Sequence, residues 1–172
     1  KDREELTQLL QYDEESAGGL MTPYVVAIRK KQTVAAAIKE IQKFVKKEGF
    51  ELFYTAYVVD EHDHLIGTIG TTELLLAERN ALIKNLMNPN VVAVDQDLDQ
   101  EEVARIAQEY DLVVVPVIDK HLKLIGRVTL DDLVDVIVEE HNEDLGHLAG
   151  TGHEEVTETS VLRTSGDRLP WL

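Results

Sequence analysis

The sequence predicts an α/β (α+β) fold made of two copies of one β-α-β-β-α unit, and three observations carry that reading. Met21-Thr22-Pro23 and Val26-Ala27-Ile28 recur 66 positions on as Met87-Asn88-Pro89 and Val92-Ala93-Val94. Farther along, Val59-Asp60, Leu65-Ile66-Gly67 and Glu73-Leu74 recur 59 positions on as Ile118-Asp119, Leu124-Ile125-Gly126 and Asp132-Leu133. Within each copy, β-branched runs bounded by polar turns alternate with stretches of helical periodicity. A unit of about 60 residues buries only a marginal core, so the two copies are expected to pack as one pseudo-symmetric module.

Residues 1–17 read as the end of a polar helix carrying Leu6, Leu9 and Leu10, then a Tyr12–Ser16 connection. Because Lys1 already sits in that pattern, the chain is expected to be part of something longer. Gly18-Gly19 reads as a break. The first copy, 18–83, has a short strand at Val25–Ile28 and a helix capped by Thr33. Strands Thr55–Val59 and Leu65–Ile69 follow around Asp60-Glu61-His62-Asp63-His64, and a second helix closes the copy. The drop in repeat length from 66 to 59 assigns this copy seven extra residues, around Lys46–Glu51. In the second copy, 84–141, a helix opens with a capping box of Asp99 and Glu102. Strands Val113–Ile118 and Leu124–Val128 flank Asp119-Lys120-His121. Residues 142–172, with Gly146, Gly150, Gly152 and Gly166, read as a connecting segment that includes a short helix. It ends in Arg168-Leu169-Pro170-Trp171-Leu172, a basic-then-apolar pattern found at the edge of a membrane helix.

Composition narrows the function. The chain has 172 residues, no cysteine, and a formal net charge of −16 from 33 acidic and 17 basic side chains. Disulfides and thiolate metal sites are excluded. Nucleic acid is not an expected partner, because phosphate binding needs a basic footprint. No apolar run approaches the ~18 residues of a membrane span.

From about Leu130 the chain reads as an amphipathic helix, with Leu133, Val134, Val136, Ile137 and Val138 on one side. Asp132, Asp135, Glu139 and Glu143 gather on the other. Like charges at this spacing repel by a few tenths of a kcal/mol per pair, so the stripe faces either open water or a cation. The equivalent helix of the first copy, Glu73–Glu78, is much less acidic, so the bias is not a property of the repeat. Asp99 and Glu102 serve equally as caps or as ligands, and Asp111 as a turn residue or a ligand. His141, His147 and His153 recur every six residues, which fits no usual zinc spacing, His62 and His64 sit in a turn, and all six histidines are read as exposed. No catalytic set is found, and the chain is not expected to be an enzyme.

The Met-x-Pro, strand, capped helix and Leu-Ile-Gly followed by Thr-x-x-Asp resemble the CBS domain, here as a tandem pair over about 20–141. Ala17–Pro23, Met87-Asn88-Pro89, Asp97–Ala104, Tyr110-Asp111 and Val128–Val136 are further similar to the cytosolic region of MgtE-type magnesium transporters. The resemblance implies a homodimer beneath a pore, at the cytoplasmic face of the cell membrane. It also implies a preceding helical domain ending at 1–17, and a plug helix within about 145–168 leading to a transmembrane domain. The implied ligand is Mg²⁺, which holds the pore closed. Its positions here are Asp99, Glu101, Glu102, Asp111, Asp132, Asp135, Glu140, Glu143 and Asp144. CBS pairs also bind adenine nucleotides through a Gly-x-x-Thr-x-x-Asp pattern. The second copy has it as Gly126, Thr129 and Asp132; the first has Gly67, Gly70 and Glu73, without the hydroxyl.

Overall fold

A computed structural model of the chain describes residues 11–48 and 54–138. The described residues up to Leu133 form one compact unit, and those from Val134 on belong to a second. Ser16 caps a single helical turn, α1 (Ala17–Leu20), its Oγ accepting from the Gly19 N–H at 3.2 Å. The expected break at Gly18-Gly19 is therefore helical. Glycine is required at Gly18 by close packing, since a Cβ there would lie 2.6 Å from the Tyr12 ring and 3.0 Å from the Gln96 carbonyl.

The first copy runs β1 (Ala27–Arg29), α2 (Val34–Glu48), β2 (Thr55–Val59), β3 (Leu65–Gly70) and α3 (Thr71–Leu76). After a 3₁₀ turn at Ile83–Asn85, the second runs β4 (Val94–Asp95), α4 (Gln100–Glu109), β5 (Val114–Ile118), β6 (Leu124–Thr129) and a helix, α5, over 130–138. Each copy forms a three-stranded sheet whose central strand pairs parallel with the first strand and antiparallel with the third. Thr33 caps α2 by accepting from the Ala36 N–H at 3.3 Å. α2 and α4 start 66 positions apart, but α2 is 15 residues long and α4 only 10. Most of the extra residues thus lengthen a helix. Among the described residues no helix is long and apolar enough to cross a membrane.

The two sheets differ in one respect that the sequence explains. In the first copy the Tyr57 N–H donates to the Val26 carbonyl at 2.9 Å, and β1 pairs over three residues. The equivalent of Tyr57 is Pro116, which has no N–H to donate. β4 accordingly pairs over only Val94 and Asp95.

The copies are bound by an exchange of their leading segments. Thr22 forms an antiparallel bridge to Arg127 of β6, with N–O distances of 2.8 and 2.9 Å, and Asn88 forms the equivalent bridge to Thr68 of β3, also at 2.8 and 2.9 Å. The preceding methionines lie over the glycines of the Leu-Ile-Gly motifs. A Cβ on Gly126 would be 2.5 Å from Met21 Sδ, and one on Gly67 would be 2.9 Å from Met87 Sδ. Met-x-Pro and Leu-Ile-Gly are therefore two halves of one contact, and that is why both recur. Val26, Ile28, Val34, Ala37, Ala56, Val58, Ile69, Leu74 and Ile83 form the core of the first copy, with Ile38, Ile41 and Phe44 of α2 packed against it.

The β2–β3 and β5–β6 turns meet each other: the Leu65 N–H donates to Leu122 O at 3.0 Å and the Leu124 N–H to Asp63 O at 3.2 Å. Asp63 and Leu122, again equivalent, both have positive φ (70° and 62°). In the first turn partial burial raises the Asp60 pKa, but the backbone N–H groups of His62 and His64 and the His64 ring outweigh it and hold the carboxyl at about 2. A depressed carboxylate pKa contributes stability above the unfolded value near 4, lost as pH falls through the folded one. An NMR titration should therefore place the Asp60 carboxyl near 2; a midpoint near 4 would show that the turn does not hold it.

Candidate functional site

Two groups of side chains carry the chemistry anticipated from the sequence: the acidic start of α4, and the cleft where β6 runs into α5. Asp99 is the N-cap of α4, its Oδ1 accepting from the Glu101 N–H at 2.9 Å. That occupies one oxygen and leaves Oδ2 available. Glu101 lies in the same first turn and is exposed. The expected capping box with Glu102 does not form. Glu102 instead chelates Arg105, with Oε2–Nε at 2.7 Å and Oε1–NH2 at 2.5 Å, and Arg105 also pairs with Glu109 at 2.9 Å. The guanidinium outcompetes a single backbone N–H for the carboxylate, and it holds the Glu102 pKa below the usual range. Of the acidic residues at this helix end, Asp99 and Glu101 fit a hard cation best.

Asp111 lies at the other end of α4. With φ 51° it is the left-handed residue that terminates the helix after Tyr110, a conformation Asp tolerates better than most. Ten helical residues separate it from Asp99, about 15 Å at 1.5 Å per residue. The two cannot ligate one ion within a chain.

At the cleft, the Thr129 N–H donates to Asp132 Oδ2 at 3.2 Å, and the Thr129 hydroxyl donates to the same oxygen. The first copy repeats this without the hydroxyl, the Gly70 N–H donating to Glu73 Oε2 at 3.1 Å. Thr129 and Asp132 line a pocket of about 500 Å³ with Thr22, Tyr54, Val113, Val114, Arg127, Leu130 and Asp131. Glu73 is not among its lining residues. Tyr54, Val113 and Leu130 present apolar surface, exposed by 54%, 50% and 41%, beside a guanidinium and a hydroxyl. The apolar faces and the guanidinium suit a flat ring carrying an anionic group, while Asp131 and Asp132 oppose the anion unless a cation accompanies it. Tyr54 and Arg127 were not anticipated from the sequence. Arg127, where the first copy has Thr68, was the one signal available. The buried Tyr57 phenol is pushed up to about 12 by desolvation, although the Arg127 charge lowers it.

On α5, Asp132 and Asp135 are exposed, as the amphipathic reading requires. Leu133 and Val136 are buried and Ile137 half-buried. Val134 and Val138, expected on the apolar side, are instead 46% and 54% exposed. The covered face is narrower than the apolar one. Glu140, Glu143 and Asp144 lie outside the described residues, as does the connecting segment. Among the described residues, no three of the anticipated carboxylates bring ligand oxygens within 4.8 Å of one another. An ion held here by three or more carboxylates would draw some of them from a second surface.

Asp99 has two roles that substitution separates. Asp99→Ala should cost about 1 kcal/mol in Mg²⁺-free buffer by removing the cap. Asp99→Asn, which keeps an acceptor oxygen, should cost less than half of that. Thermal unfolding of the two variants checks this; equal losses would mean the cap carries none of the stability.

The CBS domain family model matches residues 17–80 and 83–139. The magnesium transporter MgtE of Enterococcus faecalis is 39% identical over 168 residues, 98% of this chain and 36% of its own. That of Thermus thermophilus is 41% identical over 174 residues, 100% of this chain and 37% of its own. The chain thus spans about a third of the length of the curated relatives it matches. Among solved structures, the cytosolic domain of the Mg²⁺ channel MgtE in complex with ATP aligns with a TM-score of 0.74 at 42% identity, covering 78% of this chain and 53% of that one. The soluble part of a magnesium transporter aligns with a TM-score of 0.74 at 38% identity, covering 78% and 52%.

Proposed function

The chain belongs to the CBS-domain family, as a tandem pair, and from that premise we propose that it is the cytosolic Mg²⁺-sensing region of an MgtE-type magnesium transporter. The observation that carries this reading is the likeness to magnesium transporters along the whole chain, beyond the CBS pair itself. In this reading 1–17 close a preceding helical domain, 18–83 and 84–141 are the two CBS domains, and 142–172 connect them to a transmembrane domain. The module sits at the cytoplasmic face of the membrane as a homodimer, and it has no catalytic role.

The chemistry of the acidic faces supports the mechanism. Mg²⁺ prefers six oxygens and gives up its waters reluctantly, so one or two carboxylates per ion suffice. Asp99 with Glu101 offers such a partial site, and Asp132 and Asp135 each add an exposed carboxylate. Asp111, Glu140, Glu143 and Asp144 supply further oxygens, while Glu102 does so only by releasing Arg105. Water completes the shell in the open form, and in the closed form a second surface, from the partner subunit or from 142–172, replaces some of it with further carboxylates. With Mg²⁺ present the acidic surfaces are bridged and the module closes. Without it, repulsion within a chain of net charge −16 separates them, and the connecting segment moves with them. A ligand shifts such an equilibrium only by its differential affinity for the two states, which incomplete open-state sites provide.

The pocket around Thr129, Asp132, Tyr54 and Arg127 favours a second reading, an adenine nucleotide as an additional or alternative regulator. One solved relative is described in complex with ATP. Thermal melting separates the two. Millimolar Mg²⁺ should stabilise the chain more than an equal ionic strength of Na⁺ does. Stabilisation by AMP alone, with no Mg²⁺ effect beyond ionic strength, would leave only the nucleotide reading.

A further inference from the structure

The β2–β3 turn carries a ligand set unlike the acidic faces. Asp60, His62 and His64 each place one ligand atom within 4.8 Å of the other two. The Asp60 carboxylate organises them: Oδ1 accepts from the His62 N–H at 2.8 Å and the His64 N–H at 3.0 Å, and Oδ2 lies 3.0 Å from His64 Nδ1. The two rings stand with centroids 5.8 Å apart at 30°. His64, anticipated as exposed, is half-buried; His62 is exposed and has room to turn. Ligand atoms of a tetrahedral site with bonds of about 2.0–2.1 Å lie roughly 3.3 Å apart. Oδ2 and Nδ1, 3.0 Å apart, are close to that spacing, and the His62 ligand atom lies within 4.8 Å of the other two.

The neighbouring charges decide which ion fits. Asp63 pairs with Arg29 at 2.6 Å and Glu61 with Lys31 at 2.5 Å, with Lys30 3.7 Å from Glu61. The flanking carboxylates are thus neutralised and three cationic side chains stand nearby. A hard cation drawn by charge alone gains little here, whereas imidazole nitrogens favour a borderline ion. The second copy provides an internal comparison. Its equivalent turn holds Asp119 in the same way, accepting from the His121 N–H at 2.8 Å and the Lys123 N–H at 2.9 Å, but the position of His64 is Lys123. Lysine removes the second imidazole and adds a charge.

We propose that Asp60, His62 and His64 form a binding site for a divalent transition-metal ion of the Zn²⁺ class, confined to the first copy and separate from the Mg²⁺ faces. Water fills the fourth position of the tetrahedron.

Isothermal titration of the full chain with Zn²⁺ at neutral pH, in buffer with millimolar Mg²⁺, tests it. The expected result is one equivalent whose affinity falls at least tenfold in His62→Ala and in His64→Lys, the latter copying the second turn. Far-UV circular dichroism of both variants should match the parent, since both keep the backbone N–H groups that Asp60 accepts from. The proposal is overturned if neither substitution weakens binding, which would assign Zn²⁺ to other histidines, or if no equivalent is bound despite Mg²⁺. The Mg²⁺-dependent shift in melting should be the same in parent and variants; its loss in His62→Ala would merge the two sites and overturn their separation.

Discussion

Replacing Gly126 by valine should lower the stability of the chain by roughly 3 kcal/mol, the upper end of what overpacking usually costs. For a chain of this length that is a fall in melting temperature of about 9 °C. The glycine is where the leading segment of the first copy crosses the third strand of the second. A Cβ would meet Met21 Sδ at 2.5 Å and the Thr22 carbonyl at 3.0 Å. The sulfur belongs to a flexible side chain and can withdraw, but the carbonyl is fixed by the Thr22–Arg127 bridge. Met21→Ala in the same background should therefore recover part of the loss and not all of it. At Gly67 the sulfur stands off to 2.9 Å and Asn88 O is again at 3.0 Å, so Gly67→Val should cost somewhat less. Urea unfolding of the four variants checks this. Additivity of Gly126→Val and Met21→Ala would mean that the two residues do not share a contact.

Truncating either of the equivalent leucines of α3 and α5 should be as damaging. Leu74 and Leu133 are 2% and 1% exposed, and Leu→Ala at fully buried positions costs about 2–5 kcal/mol through lost transfer energy and the cavity left behind. Leu75→Ala, next in sequence but 71% exposed, should change stability by less than about 0.5 kcal/mol. The contrast is measurable by denaturant unfolding of Leu74→Ala, Leu133→Ala and Leu75→Ala. A loss at Leu75 equal to that at Leu74 would reveal that α3 is covered by a surface outside this chain, as a dimer would cover it.

The duplication was legible because the same contact is built twice: Met21 on Gly126 and Met87 on Gly67 constrain the same residue types at the same spacing. The limits of β2, β3, β5 and β6 followed to within one residue from β-branched runs, whereas the first strand, expected at Val25–Ile28, is Ala27–Arg29 because it begins only where it pairs with Tyr57. Consequences of one residue on another element were harder to see, as with Pro116, which shortens β4 by withholding one N–H. Helical periodicity identified the apolar side of α5 but not how much of it is covered, which depends on what packs there; hence Val134 and Val138. The capping box at Asp99 failed because a guanidinium one turn on competes for Glu102. The pocket draws Thr22, Tyr54, Val113 and Arg127 from four separate places in the chain, and no local pattern marks such convergence. The Asp60-His62-His64 set was visible as residues in a turn, but Asp60 as its organiser emerged only from the hydrogen bonds.

Among the proposals, the gating mechanism makes the widest claim, that Mg²⁺ closes the module by bridging acidic faces. Small-angle scattering tests it most directly, with and without millimolar Mg²⁺ at fixed ionic strength, for the parent chain and for Asp132→Asn/Asp135→Asn. Asparagine keeps the acceptor that Thr129 uses and removes only the charge. If Mg²⁺ bridges the acidic faces, it reduces the radius of gyration of the parent, and the double variant loses most of that response. A parent whose scattering is unchanged by Mg²⁺, or a double variant that compacts as fully as the parent, would contradict it.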